Sequence, residues 1–178
     1  KLEEGVRACR AHLASEPSAL GWYFLGRLLR AQGKGEEALD ALDRAVEADP
    51  SLGEAHFERG ILRVGRIALL RADDEHAARL VEDAKQDLSA VGGQTAYFRA
   101  VAGTYGRAEL ARLSNDAIGA KKGYDEVLAA EPLYALAHVG LSRLAFDAGD
   151  LDLAVGHADM AILVHKGLAE AYWARVVV

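Results

Sequence analysis

The stretch GWYFLGRLLRAQGKGEEALDALDRAVEADP, Gly21 to Pro50, decides the fold. Trp22, Leu25, Gly26 and Leu29 fall at i, i+3, i+4 and i+7, so they share one face of a helix and can be buried together. Gly26 keeps that face thin, which lets a neighbouring helix approach closely. Gly33-Lys34-Gly35 then reads as a turn, and a second helix with small Ala38 and Ala45 on its packing side stops at Pro50. A hairpin of this kind cannot bury its apolar face alone, so it must stack on another.

Working outward from that stretch, the plan recurs. EEGVRACRAHLASEP (Glu3 to Pro17) has the length and design of EEALDALDRAVEADP (Glu36 to Pro50). Ala135 to Lys166 repeats the hairpin with His138, Leu141, Ser142, Ala154, Ala158 and Ala161, with Gly149-Asp150 as its turn and Lys166 in place of the closing proline. Ala171, Tyr172 and Trp173 open another first helix. In the middle, Phe57, Gly65, Arg66 and Leu69 recur as Phe98, Gly106, Arg107 and Leu110, a shift of 41 throughout. The hinges Ala72-Asp73-Asp74 and Ser114-Asn115-Asp116 follow their helix starts by more residues than Gly33-Lys34-Gly35 does. The surplus therefore belongs to the first helix of each central pair, lengthening it by roughly 10 Å at about 1.5 Å per residue. Helices are expected near 2–15, 19–32, 35–48, 53–71, 74–90, 94–113, 116–130, 135–148 and 151–164, with another from 168.

Trp22, Leu25, Gly26, Leu29, Ala38, Leu42, Ala45 and Pro50 reproduce the spacing of the tetratricopeptide repeat, with Leu29 and Leu42 where aromatics are commoner. The chain resembles that family. The resemblance implies an all-α fold, a right-handed α-solenoid of helical hairpins whose two central repeats have extended first helices. It implies one domain over 1–178: a partial repeat 1–18, repeats about 19–52, 53–93, 94–134 and 135–168, and a truncated repeat 169–178. Gly60, Val101 and Ser142 stand where Gly26 does. The sequence lacks an initial methionine and finishes on Val176, Val177 and Val178, so we expect a portion of a longer polypeptide.

Half of the residues are apolar, enough for a core without disulfides or metal, and the single cysteine, Cys9, suits a reducing cytoplasm. A net charge of -6 and the lack of a long Lys/Arg block argue against nucleic acid as a partner. No apolar run approaches the roughly 20 residues needed to span a bilayer. The Ala- and Arg-rich style suggests a bacterial source.

Catalytic patterns are missing. There is no Gly-x-Ser-x-Gly elbow and no His-Glu-x-x-His pair, and Gly33-Lys34-Gly35 lacks the rest of a phosphate-binding loop. His56 and His138 occupy the site of Trp22 and read as packing groups; His157 and His165 are too far apart on one helix to share a metal, and His12 and His76 have no partner at ligand spacing. Cys9 reads as a small packing residue. No enzyme activity, metal or cofactor is expected.

In the family, first helices line a concave groove. The resemblance therefore directs attention to Tyr23, Arg27 and Arg30, to Phe57, Ile61 and Val64, to Phe98 and Tyr105, to Arg143 and Phe146, and to Trp173. These would make an apolar, aromatic groove edged by arginines, able to hold a protein or peptide; the opposing expectation is that the stripe covers itself and belongs to the core. The Lys and Asn set with which some relatives clamp the tails of heat-shock chaperones is missing. The expected function is a non-catalytic interaction scaffold. The alternatives are a self-associating structural module, with homo-oligomers through the repeat ends, and the regulatory region of a larger enzyme such as a bacterial Ser/Thr kinase.

Overall fold

A computed structural model describes residues 1–67, 75–90 and 101–177. Its helices are α1 (Leu2–Ser15), α2 (Ala19–Ala31), α3 (Gly35–Ala48), α4 (Gly53–Ile67), α5 (Glu75–Ser89), α6 (Gly103–Leu113), α7 (Ala117–Ala130), α8 (Ala135–Asp147), α9 (Leu151–Val164) and α10 (Ala169–Val177). No strand occurs among the described residues. The fold is all-α, built of the helical hairpins α2/α3, α4/α5, α6/α7 and α8/α9.

One turn closes three of these hairpins. Lys34, Asp116 and Asp150 donate their backbone N–H groups to the carbonyls of Leu29, Ala111 and Ala145, and Gly33, Asn115 and Gly149 donate to Arg30, Arg112 and Phe146. This double closure is the Schellman arrangement, which needs a left-handed residue just past the helix. Gly33, Asn115 and Gly149 supply it, with φ of 75°, 59° and 80°. Asp116 and Asp150 also cap the following helices, accepting from Gly119 N at 2.9 Å and Leu153 N at 3.1 Å.

A second turn joins hairpin to hairpin. Glu16, Asp49, Glu131 and His165 all take φ between −138° and −145° and ψ between 85° and 95°. The first three precede a proline, which forces its predecessor out of the helical region. His165 precedes Lys166 and does the same, and Leu168 N–H still donates to His165 O, as Leu52 does to Asp49 O. Tertiary packing thus fixes this turn without the proline.

The chain forms two compact units, Lys1–Gln94 and Thr95–Val178. In the first, Val6, Leu13, Leu25, Leu29, Ala38 and Ala41 form one core cluster, with Cys9 and Trp22 packed against it. In the second, Val139, Ala158, Ala161, Leu168, Ala171 and Ala174 do so. The close approach expected at Gly26 is real: a Cβ there would lie 2.7 Å from Leu42 Cγ and 3.2 Å from Ala38 O. At the equivalent Ser142 the hydroxyl donates to Ala154 O at 2.8 Å, so the small side chain bonds to the neighbouring helix. The expected extensions of the two central first helices, 68–71 and 94–100, lie outside the described residues, as do Phe98 and the Ala72-Asp73-Asp74 hinge.

Candidate functional site

The stripe expected to line a groove divides on inspection. Tyr23, Phe57, Ile61, Val64 and Tyr105 are buried. Tyr23 packs with Leu42, Ala45, Leu52 and Ala55, and so against the start of the next first helix. The position after Trp22 faces the following hairpin, so its side chain is covered as soon as the repeats stack. These five residues therefore belong to the core and present little area to a ligand.

The arginines are partly engaged. Arg27 Nε lies 3.4 Å from Glu58 Oε1, Arg30 pairs with Glu58 Oε2, and Arg27 also reaches the Tyr23 hydroxyl at 3.4 Å. The Glu58 side chain is 13% exposed, so an internal carboxylate already occupies the place expected for a partner's acidic group. Burial, followed by the charge of Glu58, raises the Tyr23 pKa against the opposing pull of Arg27.

Of the aromatics expected in the groove, the accessible ones lie in the second unit; outside that set, Phe24 of α2 in the first unit is also half-exposed. Phe146 of α8 is 40% exposed and Trp173 of α10 54% exposed, and the two helices pack on one another. Arg143, one turn before Phe146, is half-buried. Its charge helps to hold Glu109 below the usual carboxylate range: burial alone would raise that group, and Arg112, the Tyr124 hydroxyl and Arg143 together outweigh it. Tyr124 donates to Glu109 at 2.5 Å, and Arg112 bonds the same carboxylate at 2.8 Å.

Sequence reasoning did not find the polar clusters. Asp87, fully buried on α5, accepts from Arg59 Nε at 2.9 Å and from Arg63, and lies 3.0 Å from His56 Nδ1. The other ring nitrogen of His56 lies 3.1 Å from Pro50 O, so His56 ties the turn at Pro50 to α5 beyond simply filling space. His138, in the same repeat position, meets His157 instead, with their Nδ1 atoms 3.2 Å apart. Burial lowers the pKa of both rings, and the neighbouring His138 lowers that of His157 further. Of the recurrent Gly-Arg pairs, Arg66 reaches Glu36 of α3 at 3.0 Å, a contact between neighbours, and Arg107 bonds Thr104 on its own helix at 2.8 Å. Among the described residues no group of three or more His, Cys, Asp or Glu side chains is placed to hold a metal ion, and no helix is long and apolar enough to cross a membrane.

Profiles described as tetratricopeptide repeat match residues 19–62 and 105–167. The chain belongs to the tetratricopeptide repeat family. The solved structures agree at low sequence identity. A thermophilic tetratricopeptide protein of Thermus thermophilus, TTC0263, is 17% identical over 99% of this chain and 89% of its own, with a TM-score of 0.68. PilW, a type IV pilus biogenesis factor, is 14% identical over 99% of this chain and 84% of its own, at 0.65. YrrB, a tetratricopeptide protein with an unusual peptide-binding site, is 16% identical over 97% of this chain and 82% of its own, at 0.55. No curated protein matches the sequence. Tetratricopeptide hairpins are in general a protein-interaction fold, and that much extends to this chain.

Proposed function

We propose that this tetratricopeptide chain is a non-catalytic interaction module that holds a peptide or protein partner against its first helices, the helices that line the concave groove in this family. The observation that carries the reading is Phe146, a large apolar side chain left accessible on the first helix α8; Trp173 of α10, which packs beside α8, holds the repeat position that the following hairpin covers at Tyr23 and Phe57. Aromatic anchors of this kind supply most of the energy of an interface for little entropy cost. Arg143 lies one turn from Phe146 and adds a donor for a carboxylate or carbonyl. Arg27 and Arg30, held by Glu58, contribute only to a partner that can displace or join that carboxylate. The peptide-binding site described for YrrB is consistent with such a use of the fold.

The test is a displayed library of unstructured peptides panned on the full chain. Bound sequences are expected to lose about tenfold or more in affinity with Phe146→Ala/Trp173→Ala, at unchanged circular dichroism. Unchanged affinity would remove the first-helix face of the second unit from the reading.

A further inference from the structure

The two units contain the same groove on their second-helix side, filled in opposite ways. In the first unit it runs between α1 and α3 over α2, and in the second between α7 and α9 over α8. The turns fix the correspondence, with one extra residue in the second unit between its first turn and α8. Glu16 matches Glu131, Gly33 matches Gly149 and Asp49 matches His165, each pair having the same backbone conformation. Counting from those turns, Arg10 corresponds to Asp125, Leu29 to Ala145, Glu37 to Leu153 and Ala41 to His157.

In the first unit Arg10 and Glu37 form an ion pair 2.7 Å long from one edge of the groove to the other. Arg44 lies 4.7 Å over the Trp22 ring beside it, and the remaining space is about 510 Å³. In the second unit Leu153 replaces Glu37 and cannot bridge, and Ala145 replaces Leu29 and leaves the floor lower. The groove there opens to about 910 Å³ over Leu141 and Leu144. Ile118 and Leu153 stand at its edges, 85% and 48% exposed. Apolar side chains left this accessible beside a preformed trough mark an interaction surface.

The edges say what fits. Along α7, Lys121 and Lys122 are followed one turn later by Asp125 and Glu126, and each lysine pairs along its own helix, at 2.7 Å and 3.9 Å. The opposite edge carries one carboxylate, Asp150 at the start of α9, and beyond it Leu153 and His157, whose pKa burial lowers. We infer that this groove is a second docking site, distinct from the first-helix face, for an amphipathic helix of a partner protein. The helix has an apolar stripe at i, i+3 or i+4, and i+7, bordered on one side by an acidic residue facing the two lysines. One turn along, a basic residue faces the two carboxylates. The order of charges complements α7, and small Ala129, Ala145 and Ala148 let a helix backbone come close.

A library of displayed peptides about 16 residues long, roughly 24 Å as a helix, tests this on the full chain. Half are amphipathic helices with varied edge charges and half contain central prolines. Enriched peptides are titrated by fluorescence anisotropy. The expected result is enrichment of amphipathic helices with the acidic-to-basic edge. Asp125→Arg/Leu153→Glu, which rebuilds the bridge of the first unit, is expected to weaken them about tenfold or more. Ile118→Lys, at a position too exposed to matter for folding, should weaken the same peptides. Phe146→Ala/Trp173→Ala should leave them unchanged, so the failure of one site is distinguishable from the failure of the other. Enrichment of proline-containing peptides, no enrichment, or unchanged affinity in Ile118→Lys would overturn the inference. So would a doubled mass by light scattering that Ile118→Lys abolishes, because a second copy would then be the occupant.

Discussion

In Lys1–Gln94 the carboxylate deprived of solvent is Asp87 on a second helix, gripped by Arg59, Arg63 and His56 of the first helix of its hairpin. In Thr95–Val178 it is Glu109 on a first helix, satisfied by Arg112 on its own helix and by the Tyr124 hydroxyl of the second. The groove on the second-helix side differs in the same sense, bridged by Arg10 and Glu37 in one unit and left apolar in the other. The first unit spends its charges on joining its own helices. The second joins its helices with small residues and short polar contacts, and its groove between α7 and α9 keeps apolar edges at Ile118 and Leu153.

The largest test of that contrast is Asp87→Ala, which strands Arg59 and Arg63 in a poorly solvated place and is expected to cost about 3–5 kcal/mol. Each unit holds one of the two tryptophans, Trp22 and Trp173. Denaturation followed by Trp22 fluorescence in a Trp173→Phe background should therefore show the loss in the first unit. A loss under about 1 kcal/mol would mean the cluster is solvated and weak.

Smaller, and aimed at the packing, are Gly26→Leu in the first unit and Gly140→Ala in the second. A Cβ at Gly140 would enter the ring of Tyr124. Each is expected to cost about 1–3 kcal/mol, read from the tryptophan of its own unit. An unchanged midpoint for Gly26→Leu would refute the repeat register itself.

A third test uses pH. His138 and His157 have pKa values lowered by burial, so the unfolded chain binds more protons than the folded one around the ordinary histidine pKa. Stability from this pair is complete above about pH 6.5 and falls as the pH drops through and below it. The second unit should lose stability between about pH 7 and pH 5, and His138→Leu should flatten that slope. A slope unaltered by the substitution would place its origin elsewhere. The smallest effect belongs to the hinge: Asn115→Gly relieves a left-handed non-glycine residue and should gain about 0.5 kcal/mol at most, where Gly33→Asn loses a similar amount.

Much of this frame was legible in the sequence, because it is written in local chemistry. The 3.6-residue spacing of Trp22, Leu25 and Leu29, the prolines after α1, α3 and α7, and the Gly33 and Gly149 turns placed helix ends to within a residue or two. The groove residues were less legible, since the same spacing that puts Tyr23 and Phe57 away from Trp22 also puts them under the next hairpin; period alone cannot tell a covered face from a bare one. The partners of Asp87 and His138 come from other helices, and nothing local announces them. The open groove did leave a trace, the replacement of Glu37 by Leu153 in equivalent places, visible only once the two hairpins are aligned turn by turn.

The claim that the second unit is the binding half is tested most directly by methyl NMR of the full chain during titration with peptides selected on it. Shifts confined to methyls of the second unit, Ile118, Leu141, Leu144 and Leu153 among them, are the predicted result. Shifts centred on Leu13, Leu25 and Leu42 of the first unit would contradict it.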